Sequence, residues 1–204
     1  KLKIAKRKKK LPTLIIVVHL GGLPTDPIKL KNLSKKYKFK IIEDASHSFG
    51  GKYYSKRVGC SKWSDISVFS FHPVKIITTG EGGMALTNDT EILEKMKLLR
   101  SHGITRNPEK LTRKTDTPWY YEQLELGFNY RMTDIHAALG QSQLERLDGF
   151  VKRRNELAQN YEEAFAGVPI KKQVVPDSVY SARHLYVIRV PKQHHLSLFQ
   201  TFRN

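Results

Sequence analysis

Two apolar runs bracket a helical stretch near the start of the chain, and this pattern constrains the fold more than any other feature. Residues 13–20, TLIIVVHL, form a continuous β-branched run without alternating polar positions. Residues 26–37, DPIKLKNLSKKY, have helical spacing, with Asp26 as an N-cap and Pro27 at the first helical position. Residues 39–46, FKIIEDAS, are apolar again. This order predicts a β-α-β unit, and runs that do not alternate predict strands covered on both faces of a parallel or mixed α/β sheet.

The pattern continues downstream. DISVFSF (65–71) and GGMALT (82–87) read as a third and fourth strand, followed by a helix over 89–103 that Gly103 can terminate. Residues 104–120 lack any period and read as a long polar loop. From Met132 onward apolar positions recur at helical spacing over many turns, with a break expected around Asp148 and Gly149. VYSARHLYVIRVP (179–191) reads as a strand of a second unit. With 204 residues, 39% of them hydrophobic, there is material for one sizeable core, or for one domain and part of another.

The formal charge of +17 raises nucleic-acid binding, since clustered Lys and Arg neutralise phosphates. Much of the excess is local to the first ten residues and to KNLSKKYKFK (31–40), and no helix-turn-helix, zinc-finger or interleaved aromatic pattern accompanies it. A solvated surface, or attraction for a small anionic substrate, accounts for it better, and no nucleic-acid partner is expected. The basic start followed by an apolar run superficially resembles a secretion signal. The run has no A-x-A-like cleavage site and is too short to span a membrane, so it reads as a buried strand behind a solvated tail. No membrane partner is expected. The single cysteine, Cys60, excludes an intramolecular disulfide and fits a cytoplasmic location. Cys60, His194 and His195 lack the spacing of a metal site.

In an open α/β sheet, ligands bind where the loops leave the carboxyl ends of the strands. Asp44 ends the second predicted strand, Ser70 ends the third, and Lys75 follows in SFHPVKIITTGEGG. A lysine, a carboxylate and a hydroxyl on one rim are what pyridoxal phosphate requires: an amine for a Schiff base, an acid for the pyridinium nitrogen and a donor for the phosphate. Each residue also has a plainer reading. Asp44 can be a cap, Lys75 a solvated surface residue and GEGG a tight turn, since the P-loop pattern is absent. The residue types and their spacing leave both readings open.

Four blocks, IIEDASHSFGGKY, SDISVFSFHPVKIITTGEGGMALTND, LLRSHGI and LGFNYRMTDIHAALGQSQLERLDGFVKRRNELAQNY, occur in the order found in the DegT/DnrJ/StrS aminotransferases. The chain resembles that family over residues 14–160, with a weaker echo in SARHLYVI. The resemblance implies a fold-type-I pyridoxal-phosphate enzyme, a three-layer α/β/α mixed sheet followed by the start of a smaller α+β domain. It divides the chain into residues 1–146, part of the large cofactor-binding domain, and 147–204, a linker helix and an incomplete small domain.

It also implies site roles. Lys75 is the Schiff-base lysine and proton shuttle, and Asp44 the pyridinium partner. His47 packs on the cofactor ring, Ser70 is a phosphate ligand, and Asn129 reaches the phosphate of a neighbouring subunit in a homodimer. The implied reaction moves an amino group from glutamate to the C4 keto group of a UDP-linked deoxy sugar. His72 is expected to shape its loop and His136 to pack its helix, while His184 is open between substrate contact and structure. Family members begin with a further phosphate-binding segment and end with a complete small domain, so the expectation is a fragment. A non-catalytic remnant serving as a fold core or interaction module is the alternative.

Overall fold

The computed structural model describes residues 1–113 and 117–203; residues 114–116, within the polar loop expected over 104–120, and Asn204 lie outside the described residues. The chain opens with a short helix, α1 (Leu2–Arg7), and enters strand β1 (Leu14–Val18). Helix α2 (Pro27–Tyr37) starts as its sequence demands: Asp26 accepts a hydrogen bond from the Lys29 N–H at 3.0 Å and Pro27 occupies the first turn. It stops where Lys38 takes a left-handed conformation and returns its N–H to the Ser34 carbonyl. Strand β2 (Lys40–Asp44) then pairs parallel to β1 with Leu14 opposite Lys40 and Val18 opposite Asp44.

A small hairpin, β3 (Lys52–Tyr53) and β4 (Lys56–Arg57), precedes β5 (Ile66–Ser70), which lies parallel to β2. Strand β6 (Gly83–Leu86) folds back antiparallel to β5, giving a mixed four-stranded sheet in the order β1-β2-β5-β6. Helix α3 (Thr90–Arg100) is capped by the Asp89 carboxylate and closed by Gly103, whose N–H reaches the Leu98 carbonyl at φ +68°. The segment expected to be a plain loop, 104–120, instead opens with β7 (Ile104–Thr105), which pairs with β8 (Glu122–Gln123) just beyond it.

The long helical region divides into α4 (Asp134–Leu144) and α5 (Leu147–Ala164). The break therefore falls earlier than Asp148 and Gly149 suggest. Asp148 lies in the first turn of α5, where an acid favours the positive end of the helix dipole, and both its oxygens bind the Arg57 guanidinium at 2.8 and 2.9 Å. Leu147 and Val151 from this turn join Ala45, Phe69, Phe71, Ile76, Ile77 and Ala182 in the main core. A second cluster, Tyr37, Phe39 and Ile41 with Leu2, Leu11 and Leu30, binds α1 and α2 to the start of the sheet.

Two further expectations are corrected. Strand β1 is not covered on both faces: Leu14, Ile16 and Val18 are 43%, 62% and 49% exposed, as is Val68 of β5 at 36%. These side chains share the sheet face to which Asp44 and Ser70 belong by register, and among the described residues nothing covers it. A continuous apolar run reports what both faces can bury; the covering layer must come from elsewhere. Nor is 179–191 a single strand. Strand β9 (Lys171–Lys172) pairs with β11 (Ile188–Arg189), β10 (Val179–Tyr180) pairs with β3, and the residues between hydrogen-bond to a glycine turn instead of a ladder. Helix α6 (His195–Thr201) completes the described chain. No helix among the described residues is long and apolar enough to cross a membrane.

Candidate active site

The carboxyl ends of β2 and β5 form one rim because the two strands are parallel neighbours, with Asp44 in register with Val68, two residues before Ser70. Beyond Ser70 the chain makes a tight loop to β6. The Phe71 N–H binds the Gly82 carbonyl at 2.8 Å, while the Phe71 carbonyl receives the Thr79 N–H at 3.1 Å and the Thr78 hydroxyl at 2.9 Å. Phe71, Ile76 and Ile77 are buried on either side of the half-buried Lys75, whose own N–H donates to the His72 carbonyl at 2.9 Å. Apolar anchors thus fix the backbone and leave the lysine at the rim. His72 serves the loop itself: its Nδ1 accepts the Val74 N–H at 3.3 Å and its N–H reaches the Ser70 hydroxyl oxygen at 3.4 Å. That contact leaves the Ser70 O–H free to donate.

Asp44, His47 and Lys75 are electrostatically linked. Burial works to raise the Asp44 pKa, but the Ser46 hydroxyl, the Ser46 N–H at 3.1 Å from Oδ1 and then the charges of His47 and Lys75 prevail and hold it below the ordinary carboxylate value. His47 moves in the neutral direction, first through burial and then through the Lys75 charge, with Asp44 opposing. Its Nδ1 accepts the Gly21 N–H at 3.3 Å. The ring of His184 lies 4.4 Å from that of His47 at 35°. Burial, followed by His47, Lys75 and Arg154, lowers the His184 pKa to about 4.

His184 reaches the rim because residues 181–185 dock on the turn after β1. The Ala182 N–H and the Ser181 hydroxyl both bind the Gly22 carbonyl at 2.9 Å, and the Leu185 N–H binds that of Gly21 at 3.2 Å. Arg154 of α5 donates to the carbonyls of Arg183 and His184 at 3.3 and 3.2 Å. A cleft of about 120 Å³ opens beside them, lined in part by Arg154, Tyr161, Arg183 and His184. Among the described residues, Arg183 Nε and His184 Nδ1 beside this cleft are buried without hydrogen-bond partners.

Of the five residues singled out in the sequence, Asp44, His47, Ser70 and Lys75 lie on this rim. Asn129 does not join them within the chain. It is exposed and bridged to Ser101 just after α3, and among the described residues no hydrogen bond links it to the other four. Sequence reasoning missed Arg154 and the Gly21–Gly22 turn. The adjacent glycines after an apolar strand were the available signal, but their partner lies about 160 residues away. Among the described residues no cluster of three or more His, Cys, Asp or Glu is placed to hold a metal.

The model of the DegT/DnrJ/EryC1/StrS aminotransferase family matches residues 2–204. UDP-4-amino-4,6-dideoxy-N-acetyl-beta-L-altrosamine transaminase of Campylobacter jejuni is 42% identical over 175 residues, covering 85% of this chain and 44% of that protein. Helicobacter pylori PseC, an aminotransferase involved in the biosynthesis of pseudoaminic acid, superposes with a TM-score of 0.75 at 34% identity, covering 88% of this chain and 46% of PseC. The PLP form of Spr1654 from Streptococcus pneumoniae gives a TM-score of 0.77 at 28% identity, covering 94% and 52%. The chain spans about half the length of the relatives it matches.

Proposed function

Because the chain belongs to the DegT/DnrJ/EryC1/StrS aminotransferase family, we propose that it supplies the catalytic core of a pyridoxal-phosphate-dependent sugar-nucleotide aminotransferase. The observation that carries this reading is geometric: Asp44 and Ser70 end parallel neighbouring strands, and His47 and Lys75 follow them in the adjoining loops, so that the four belong to one rim. The residues fit the cofactor: a carboxylate held low suits a pyridinium nitrogen, the free Ser70 hydroxyl suits a phosphate, and the flat His47 ring suits stacking. Pyridoxal phosphate, when bound, supplies a carbonyl that condenses with amines and a ring that withdraws electrons.

In this assignment Lys75 Nζ holds the cofactor and moves the proton at the donor Cα. Asp44 would keep the ring nitrogen protonated, its carboxylate held low by Ser46 and by the charges beside it. The Arg154 and His184 cleft takes an anionic part of the substrates. Glutamate as donor and a UDP-linked 4-keto deoxy sugar as acceptor follow the reading of the sequence, supported by the names of the Campylobacter and Helicobacter relatives. A pseudaminic-acid route and a cytoplasmic enzyme belong to the same proposal. A homodimer does too, with Asn129 donated to the second copy's phosphate site. Leu126, Phe128, Tyr130 and Ile135 around it are 87%, 51%, 73% and 82% exposed, as an uncovered interface would be. So does the division into 1–146 and 147–204.

The second reading, a non-catalytic fold core, draws on the bare apolar face beside Asp44 and Ser70. One experiment separates the two. The chain is titrated with pyridoxal phosphate, reduced with borohydride and mapped by peptide mass. Visible absorbance with the pyridoxyl group on Lys75, lost in Lys75→Ala, supports the enzyme. No absorbance change at saturating cofactor supports the core alone, and a pyridoxyl group on Lys52 or Lys62 overturns the lysine assignment.

A further inference from the structure

The positive charge of this chain is segregated. Residues 1–42 hold thirteen Lys and Arg against a single acid, Asp26, and so carry +12 of the formal +17. Folding gathers these cations. The α1 and α2 helices share the Tyr37, Phe39 and Ile41 cluster, and the Lys40 N–H binds the Thr13 carbonyl at 2.8 Å, setting the segment after Lys8–Lys10 beside the end of α2. Lys6, Arg7, Lys8, Lys9 and Lys10 then stand with Lys35, Lys36 and Lys38 at the amino ends of β1 and β2, all exposed. Of the thirteen, only Lys29 and Lys40 form ion pairs among the described residues.

This end is opposite the rim that carries Asp44 and Ser70. A five-residue strand separates them by about 16 Å, roughly twice the Debye length of about 8 Å at physiological salt. Attraction of a small anionic substrate to the site is therefore not what the patch provides. We propose that it binds the surface of an anionic phospholipid bilayer. Exposed apolar side chains stand with the cations: Ile4 is 56% exposed on α1, and Leu33, one turn before Lys36, is 39% exposed on α2. Cations for lipid phosphates with aliphatic side chains for the interface are the pairing that a bilayer rewards. Nucleic acid fits less well, because the aromatic side chains of α2 and the start of β2, Tyr37 and Phe39, are 8% and 3% exposed and offer no stacking platform.

The test is co-sedimentation of the whole chain with vesicles of phosphatidylcholine alone and of phosphatidylcholine with phosphatidylglycerol. Binding is expected only to the second, and is expected to disappear at high salt. Each cation near the surface contributes roughly fivefold to partitioning, so Lys6→Gln, Arg7→Gln, Lys8→Gln, Lys9→Gln and Lys10→Gln together should lower it by at least about 100-fold. A control with equal charge removed elsewhere, Lys152→Gln, Lys171→Gln, Arg189→Gln, Lys192→Gln and Arg203→Gln, should bind within a few-fold of the unmodified chain. Equal binding to both vesicles, equal loss in the two variants, or salt-insensitive binding overturns the proposal. Displacement from vesicles by double-stranded RNA at equal phosphate overturns it in favour of nucleic acid.

Discussion

Substituting Gly22 by alanine should unfasten the 181–185 segment from the site. Gly22 has φ +94°, and a Cβ there would lie 2.7 Å from the Arg183 nitrogen, 2.8 Å from the His184 nitrogen and 2.9 Å from the His47 carbonyl oxygen. All three are backbone atoms, so no flexible side-chain end can yield. The left-handed conformation alone costs a residue with a Cβ about 1–2 kcal/mol. Making room means displacing residues 181–184, with loss of the two hydrogen bonds to the Gly22 carbonyl at about 1 kcal/mol each. Gly22→Ala should therefore lower stability by about 3–4 kcal/mol. It should also move His184 off His47, so that the His184 imidazole titrates closer to its ordinary value. Urea unfolding and proton NMR of the histidines measure the two effects. A loss below about 1 kcal/mol with His184 still titrating near 4 would show that the docking tolerates a methyl group and that the backbone contacts are not limiting.

Gly149 makes the opposite case: inside α5, its added Cβ meets nothing within 4 Å, so Gly149→Ala should raise stability by about 0.5–1 kcal/mol in the same urea assay. Glu43 is buried and its Oε2 accepts the Ser67 and Ser64 hydroxyls at 2.7 and 3.0 Å. Glu43→Ala removes the acceptor of both hydroxyls, which stand 3.1 Å apart so that one can still donate to the other, and should cost at least about 1 kcal/mol by thermal unfolding, with Glu43→Gln milder. Stability should also fall with acidification. The pKa values of His184, His47 and His19 are lowered, in each case first by burial, so the unfolded chain binds protons that the folded chain refuses. The stabilisation is complete above the ordinary imidazole value near 6.5 and is lost as pH falls from there toward about 4. Urea midpoints across that range check the sign, and midpoints that rise on acidification refute it.

The segment 26–44 was legible because its signals are local: Asp26 and Pro27 act within one turn, and Lys38 ends the helix without help from afar. Lys75 could be located for a related reason, since the buried Phe71, Ile76 and Ile77 that fix its loop are its sequence neighbours. What escaped depends on partners distant in the chain. VYSARHLYVIRVP has strand composition, yet Ser181, Ala182 and Leu185 are bound by the carbonyls of Gly21 and Gly22, which no local pattern announces. The start of α5 was misplaced because Asp148 and Gly149 resemble a stop. Arg57, ninety-one residues earlier, makes Asp148 part of a beginning. The bare face of β1 was unreadable in principle, since LIIVV describes an affinity for cover and not its presence.

That strand has a colloidal consequence. Among the described residues β1 pairs on one side only, so its other edge presents unpaired backbone donors and acceptors along five uncharged residues. Such an edge is a template on which a second copy can add a strand, and the exposed Leu14, Ile16 and Val18 would knit the pair. Lys8, Lys9 and Lys10 stand just upstream and act as gatekeepers, because copies that align their edges also align like charges. This guard works through water and is switched off by counterions: at about 1 M salt the screening length is about 3 Å. The chain is thus protected from its own edge by ionic conditions as much as by its fold, and storage in dilute buffer should preserve it where salting would not.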